Sequence, residues 1–446
     1  MSSTNNTNTN TNNNNNFSDL SIKLSKEISK DLKQQEGIYF TPKSIITTFI
    51  EPHISYYISK TTKKNKTINI LEPSCGSCEF IDYILSLYKK KSVHITVTGV
   101  EYNKQIYDEI SKKYEHKEKG KNINIYNIDY VKYQPEKKFD LIVGNPPYFV
   151  CKKDVVPDKF KKYIVGRPNI FGIFILKALE ELTDNGILAF IVPKSFLNAS
   201  YYSKIRNLIK ETCDIVDLID FENNNDFIDT SQSTFGLIIQ KKVTGTDTDT
   251  GTDTDTCISD CDYSLKIGEN YVFTPDAKKL KTYFEGATTL EKLNFEVKTG
   301  PIVWNENKEL MTEDKTNTVL LYNTNITKTN EIKLTEFKNA EKSQYINVVN
   351  HIFDYPTIIV NRGNGNSKYQ FKYALVENDK IGKYTVENHL NVVSPKQTMF
   401  SEETKKTLKK IIKSFEDERT KQFIDLYFGN GGLSKTELET VLPIYL

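Results

Sequence analysis

The residues of this 446-residue chain best suited to chemistry are Asn145-Pro146-Pro147-Tyr148, which follow directly on the apolar run Phe139 to Val143. The side-chain oxygen of Asn145 and the backbone carbonyl of Pro146, set side by side, could accept both hydrogens of one amino group. An amine conjugated to a ring is a poor nucleophile because its lone pair is delocalised. Two acceptors would free that pair, favour a pyramidal nitrogen and stabilise the positive charge that builds on it during attack. Proline has no N–H to donate, so its carbonyl can be presented at a rigid turn. Tyr148 offers a flat ring to lie against a base that must leave its stack before a cofactor can reach it. The plain alternative is that paired prolines end a strand and the tyrosine caps a core.

Other candidates lie on either side of that corner. Leu71-Glu72-Pro73-Ser74-Cys75-Gly76-Ser77-Cys78-Glu79-Phe80 reads as a strand end, a loop and a helix start. Small residues there let backbone approach a ligand, the helix start offers free N–H groups, and Glu72 can take an ammonium. Glu101 closes the run Gly99-Val100-Glu101, where an acid can accept both hydroxyls of a ribose; a solvated surface acid is the competing reading. Thr41-Pro42 taken alone is an ordinary helix start, and Phe174 taken alone reads as helix core. Cys75 and Cys78, with Cys257 and Cys261, have the spacing of a four-cysteine zinc site. The first pair falls in the small-residue loop and the second borders a polar tract, so no metal is expected.

These residues need a scaffold, and the first half of the chain supplies its pattern. Strand-like runs at 67–73, 94–102, 123–129, 139–147, 186–193, 215–221 and 233–241 alternate with helical runs at 80–89, 103–114 and 171–182. That alternation predicts a doubly wound parallel sheet covered on both faces, with ligands beyond the carboxyl ends of its strands. The polar motifs fall at those ends. The second half is less regular, with strands expected at 318–323 and 357–362 and a helix near 402–415, which reads as mixed α and β.

Two tracts of low complexity, the Asn/Thr tail to Asn16 and TGTDTDTGTDTDT at 244–256, cannot bury apolar surface. They set the expected organisation: a tail at 1–16, a catalytic domain at 17–243, a linker at 244–262 and a second domain at 263–446. A hydrophobic content of 38% and a charged content of 26% suit a folded chain. No apolar run is long enough to span a bilayer and no signal peptide opens the sequence, so a cytoplasmic or DNA-associated protein is expected. Six scattered cysteines fit free thiols in a reducing compartment. A net charge of +2 does not announce a nucleic-acid partner, although a local basic face can form without it.

The corner and its companions together resemble, in order and spacing, the gamma class of adenine-N6 DNA methyltransferases, the TaqI-like group of the type II restriction-modification kind. The resemblance implies a Rossmann-like doubly wound α/β methyltransferase sheet, a C-terminal mixed α+β target-recognition domain and S-adenosyl-L-methionine as cofactor. It casts Asn145, Pro146 and Tyr148 as the catalytic group, with Phe227 as the second ring against a flipped adenine and Phe235 as the rival, which its apolar run places in the core. It has Thr41 in a turn that closes over the cofactor, and Glu72, Pro73, Ser74 and Cys75 around the methionine part. Glu101 then takes the ribose, and Asp129 accepts from the cofactor's adenine amino group. Tyr130 and Phe174 flank that ring, and Pro147 borders the cofactor. In the second half the segments at 298–301, 358–363 and 387–390 are looser matches. Arg362 is a candidate base-reader, and Lys368, Lys372 and Lys383 are candidates for phosphates, against the alternative of a solvated basic loop.

Double-stranded DNA is the implied partner of a monomeric enzyme, with any restriction endonuclease on a separate chain. Adenine-N6 methylation of RNA shares the site chemistry, and methylation of glutamine amides would suit the same corner in shorter chains. A silent binding module of this fold is the non-enzymatic alternative, and the intact polar motifs argue against it.

Overall fold

The computed structural model describes residues 16–51, 53–62, 67–88, 94–115, 122–221, 233–243, 263–339, 341–363, 369–396, 400–428 and 432–446. Phe227, Lys368, Cys257 and Cys261 lie outside these residues. The chain forms two compact units, 1–275 and 276–446.

The first unit opens with four helices, α1 (Asp19–Glu27), α2 (Lys30–Glu36), α3 (Lys43–Ile50) and α4 (His53–Thr62). Strands and helices then alternate: β1 (Ile68–Glu72), α5 (Glu79–Tyr88), β2 (Ile95–Glu101), α6 (Lys104–Glu115), β3 (Asn122–Asn127), β4 (Phe139–Gly144), α7 (Ile170–Glu181), β5 (Leu182–Pro193), α8 (Ser203–Thr212), β6 (Cys213–Asp220) and β7 (Thr234–Lys241). The sheet runs β3-β2-β1-β4-β5-β7-β6. The pairs from β3 to β5 are parallel, whereas β7 pairs antiparallel with both β5 and β6. The expected all-parallel sheet is therefore a mixed one at this edge. Parallel neighbours need a long crossover, and the consecutive strands β6 and β7 pair antiparallel instead.

Strand alternation explains why both faces are covered. Leu71, Ile142, Leu188, Phe190 and Val192 point into one core with α7 and α8. Ile70, Leu141, Val143, Ala189 and Ile191, one residue out of step, point into the other with α1, α3, α5 and α6. Helix α7, IFGIFILKALEE, is apolar on nearly every face and is buried at every residue but Glu180. Burying it wholly leaves Phe174 and the base of the helix against the sheet's carboxyl end.

A hairpin, β8 (Ser264–Ile267) with β9 (Asn270–Phe273), completes this unit. The buried guanidinium of Arg206 on α8 holds it there. Arg206 donates to the carbonyl of Tyr271 at 2.6 Å and to those of Phe196, Ala199 and Asn198 at 2.8, 2.9 and 3.1 Å. Tyr263 adds a hydrogen bond to Asp217 at 2.9 Å. The expected start of a second domain at residue 263 thus moves to 276, because 263–275 pack on the first unit.

The second unit contains α9 (Ala277–Thr282), β10 (Phe295–Thr299), β11 (Met311–Thr312), β12 (Thr318–Leu321), β13 (Tyr345–Ile346), β14 (Thr357–Asn361), β15 (Tyr373–Val376), α10 (Asn378–Ile381), β16 (Tyr384–Val386), β17 (Leu390–Pro395), α11 (Glu402–Glu416), α12 (Glu418–Tyr427) and α13 (Lys435–Thr440). Its two sheets run β10-β17-β14-β15 and β11-β13-β12-β16, a mixed α and β unit as the sequence implies. Helix α11 starts at a capping box of Ser401 and Thr404 and buries Leu408, Ile411 and Phe415 at helical spacing. Among the described residues no helix is long and apolar enough to cross a membrane.

Arg206→Ala should strip four carbonyls of a buried donor and free the hairpin. The expected cost is about 3 kcal/mol or more of stability, read as a lower urea midpoint at an unchanged slope.

Candidate active site

The strand order reverses between β1 and β4, and the carboxyl ends of β1, β2, β3 and β4 frame a cavity of about 380 Å³. That volume is in the range of small-molecule sites. Its walls include Pro73, Ser74, Glu101, Asp129, Tyr130 and Phe174, and the corner contributes Asn145 and Pro147. The sheet thus brings together seven of the ten residues expected around a cofactor, Pro147 included. Thr41, Glu72 and Cys75 do not line the cavity.

Each placement follows from local structure. Past β1, the loop Pro73 to Cys78 turns sharply, with Gly76 at φ +49° and Cys78 at φ +64°. The turn buries both cysteines, and the Cys75 N–H donates to the Val100 carbonyl at 2.9 Å. Cys75 therefore packs under the loop instead of facing a ligand. The same turn aims the Gly76 N–H at Glu101 Oε2, 2.9 Å away, while the Asn103 N–H reaches Oε1 at 2.7 Å. Burial pushes the Glu101 carboxyl up to about 7, against the pull of those two N–H groups. Glu72 lies one residue behind the wall, 2% exposed. Its Oε2 has no hydrogen-bond partner among the described residues, and burial raises this carboxyl well above its usual value.

Asp129 follows β3 and accepts the Val131 N–H at 2.9 Å in a tight turn. That turn sets Tyr130 against Phe174, with ring centroids 4.8 Å apart. The Tyr130 hydroxyl donates to Glu181 at 2.6 Å, anchoring the ring from below. Burial beside the Glu181 carboxylate keeps that phenol protonated.

The corner after β4 is held on several sides. Ser74 Oγ donates to the Asn145 carbonyl at 3.2 Å, and Asn145 Nδ2 donates to Thr41 Oγ1 at 3.2 Å. The Tyr148 hydroxyl lies 2.5 Å from Asn145 Oδ1 and 2.8 Å from the Ile191 carbonyl. Its ring packs edge-on to Phe171, at 5.9 Å and 85°. Tyr148 itself does not line the cavity, although Pro147 and Phe149 on either side do. Gly37, the left-handed C-cap of α2 at φ +65°, abuts this corner: a Cβ there would stand 2.9 Å from Pro147 Cβ and from the Tyr148 nitrogen. Phe235 lies in β7, 2% exposed, and belongs to the core.

Several lining residues carry no motif in the sequence, among them Glu36, Tyr102, Asn103, Ile128, Phe149 and Cys151. Asn103 had a readable signal, an asparagine ahead of a helical run. It caps α6 through the Ile106 N–H at 3.1 Å and donates to Glu36 at 2.8 Å, tying α2 to the end of β2. Apart from Glu36, the others are apolar or aromatic lip residues whose role depends on tertiary position alone.

In the second unit, Arg362 is exposed just past β14 and donates from Nη1 to the Asn388 carbonyl at 2.9 Å. Lys372 sits across the β14–β15 pair, its backbone N–H donating to Asn361 Oδ1 at 2.8 Å. The two are thus neighbours at one end of that sheet. Lys383 is exposed ahead of β16.

Residues 54–227 match the Eco57I restriction-modification methylase family. Along nearly its whole length the chain is similar to the Type II methyltransferase M.CvrRI of Paramecium bursaria Chlorella virus XZ-6E: 27% identity over 435 residues, covering 96% of this chain and 99% of that protein. It is also similar to the modification methylase CviBIII of Paramecium bursaria Chlorella virus NC1A, at 27% identity over 436 residues with the same coverage. A shorter likeness, 30% identity over 225 residues, links 48% of the chain to 38% of the Type II methyltransferase M.AccI of Acinetobacter calcoaceticus.

Two outcomes are expected from this geometry. Gly37→Ala should both strain the backbone and push the turn off the corner, lowering the thermal midpoint by several degrees and weakening cofactor binding in calorimetry. A carboxyl whose folded value lies above its unfolded one holds its proton more tightly when folded. The Glu101 contribution to ligand-free stability is therefore present at low pH and falls as pH rises from about 4.5 to about 7. In Glu101→Gln that fall, up to about 3 kcal/mol, should vanish from the difference between urea titrations at the two pH values.

The mixed seven-stranded sheet with a cavity at its switch point is the architecture of an S-adenosylmethionine-dependent methyltransferase, and most of it lies within the part of the chain, 54–227, that is similar to the Eco57I restriction-modification methylases.

Proposed function

We propose that the chain methylates the N6 amino group of adenine in duplex DNA, drawing the target base out of the helix to do so. The observation that carries this reading is the Asn145-Pro146 corner at the switch point, beside a cavity whose polar groups suit S-adenosylmethionine. When bound, that cofactor supplies an electrophilic methyl group on a sulfonium.

The residues present fit the cofactor. Glu101 accepts the Gly76 N–H at one oxygen and the Asn103 N–H at the other, and each oxygen has a further lone pair for a ribose hydroxyl. Asp129 uses one oxygen for its own turn and can accept an amino group with the rest. Tyr130 and Phe174 form an aromatic wall already braced by Glu181. Glu72 Oε2, without a partner among the described residues, keeps an unused acceptor behind Pro73 and Ser74, and an ammonium placed there would draw the carboxyl back toward its charged form.

At the corner, Asn145 Oδ1 and the Pro146 carbonyl accept the two N6 hydrogens and stabilise the charge that develops on nitrogen. The methylated cation is acidic enough to lose its proton without a strong base. The Tyr148 ring, fixed at its hydroxyl, offers one face for the extruded base, and Phe227 is the candidate for the other on the resemblance alone. The second unit, 276–446, would read the DNA, with Arg362 toward base edges and Lys372 and Lys368 toward phosphates. Full-length likeness to M.CvrRI supports treating both units as parts of one enzyme, which would not require an endonuclease on the same chain.

Incubation with radiolabelled S-adenosylmethionine and unmethylated duplex DNA, RNA or protein extract should label DNA, as N6-methyladenine on hydrolysis. Label confined to RNA or protein, or recovered as a methylated cytosine, would overturn the substrate. Asn145→Ala should lower the transfer rate by a factor of about 100 or more while leaving the cofactor Kd within a few-fold. Ribose capture by an ionised Glu101 also means that cofactor affinity rises with pH through about 7; Glu101→Gln should bind weakly and lose that slope.

A further inference from the structure

We infer that Thr41 is a positioning residue for Asn145, and not a contact for the cofactor. The inference rests on the role proposed for Asn145. Thr41 was expected in the turn over the cofactor, but it is 6% exposed and absent from the cavity wall. Its hydroxyl oxygen instead takes a hydrogen bond from Asn145 Nδ2 at 3.2 Å.

An asparagine amide turns about a soft, nearly two-fold torsion. Rotation of half a turn exchanges an acceptor for a donor, and a donor opposed to an incoming NH2 group repels it. The amide plane therefore needs an anchor at each end. The oxygen end has Tyr148, whose hydroxyl has one proton and two acceptors within reach, Asn145 Oδ1 at 2.5 Å and the Ile191 carbonyl at 2.8 Å. The nitrogen end has Thr41. Ser74 holds the backbone carbonyl of the same residue at 3.2 Å but leaves the side-chain torsion free. Without the Thr41 oxygen, Nδ2 would face an apolar methyl in a buried setting, and the amide would turn away to find another acceptor.

Thr41→Val keeps the shape and removes the hydroxyl; Thr41→Ser keeps the hydroxyl and removes the methyl. The two are compared with Asn145→Ala in single-turnover methyl transfer to unmethylated chromosomal DNA at saturating S-adenosylmethionine, alongside cofactor Kd and the thermal midpoint. Thr41→Val is expected to slow transfer tenfold or more with cofactor Kd within twofold, and Thr41→Ser to stay within threefold of the parent. Transfer at the parent rate in Thr41→Val, or a loss that appears in cofactor Kd at an unchanged saturated rate, overturns the positioning role. A serine variant as slow as the valine one overturns it as well, since packing of the methyl would then be the cause. If Asn145→Ala transfers at the parent rate, the proposed chemistry of the corner fails instead, whatever Thr41 does.

Discussion

An asparagine oxygen can serve as an acceptor for a weak nucleophile only if its amide is held in one plane at a fixed distance from a second acceptor. In this chain that constraint falls on the residue after β4, at the point where the sheet order reverses. Everything around it contributes to stiffness. Two prolines fix the following backbone, Ser74 holds the main chain, Thr41 and Tyr148 hold the amide, and Gly37 presses backbone against Pro147. The anchors come from three separate stretches of sequence that meet only in the folded sheet.

The cavity for the cofactor shares those anchors. Ser74 lines it while gripping Asn145, and Pro147 closes it while continuing the corner. Gly76 links the β1 loop to the carboxylate that ends β2. A shift of the β1 loop would thus disturb both the polar lining and the acceptor. The buried carboxyls Glu72 and Glu101 sit in the same region with raised proton affinity, a cost the fold carries without any ligand present.

Much of this was legible in the sequence, and the reasons for the rest are physical. The strand ends that place Glu101, Asp129 and Asn145 follow from the alternation of apolar runs, and the unbroken apolar run of β5 declares a sheet covered on both faces. The direction of β7 was not legible, because its apolar centre, Phe235 to Ile239, reads the same whichever way the strand runs. The hairpin at 264–273 looked like the start of the second half because a polar tract precedes it; the buried arginine that claims it lies far upstream on α8. Thr41, Cys75 and Glu72 were matched by motif to the cofactor, yet motif spacing cannot say whether a side chain faces the cavity or the residue behind its wall. Asn103 was missed for the converse reason: its cap is a local signal, but its tie to Glu36 is tertiary.

The contact of Gly37 with the corner bears on how the molecule can be rebuilt. Helix α2 and the turn after it supply a wall, a prop and a tie to the end of β2, although more than sixty positions separate Glu36 from Asn103 and more than a hundred separate Gly37 from Pro147. Covalent order contributes nothing to those contacts; nearness does. A circularly permuted chain that carried this segment behind β7 would keep the same braces, whereas one trimmed back to the first strand would lose the apolar cover of α1 and α3 on one sheet face together with the prop on the corner.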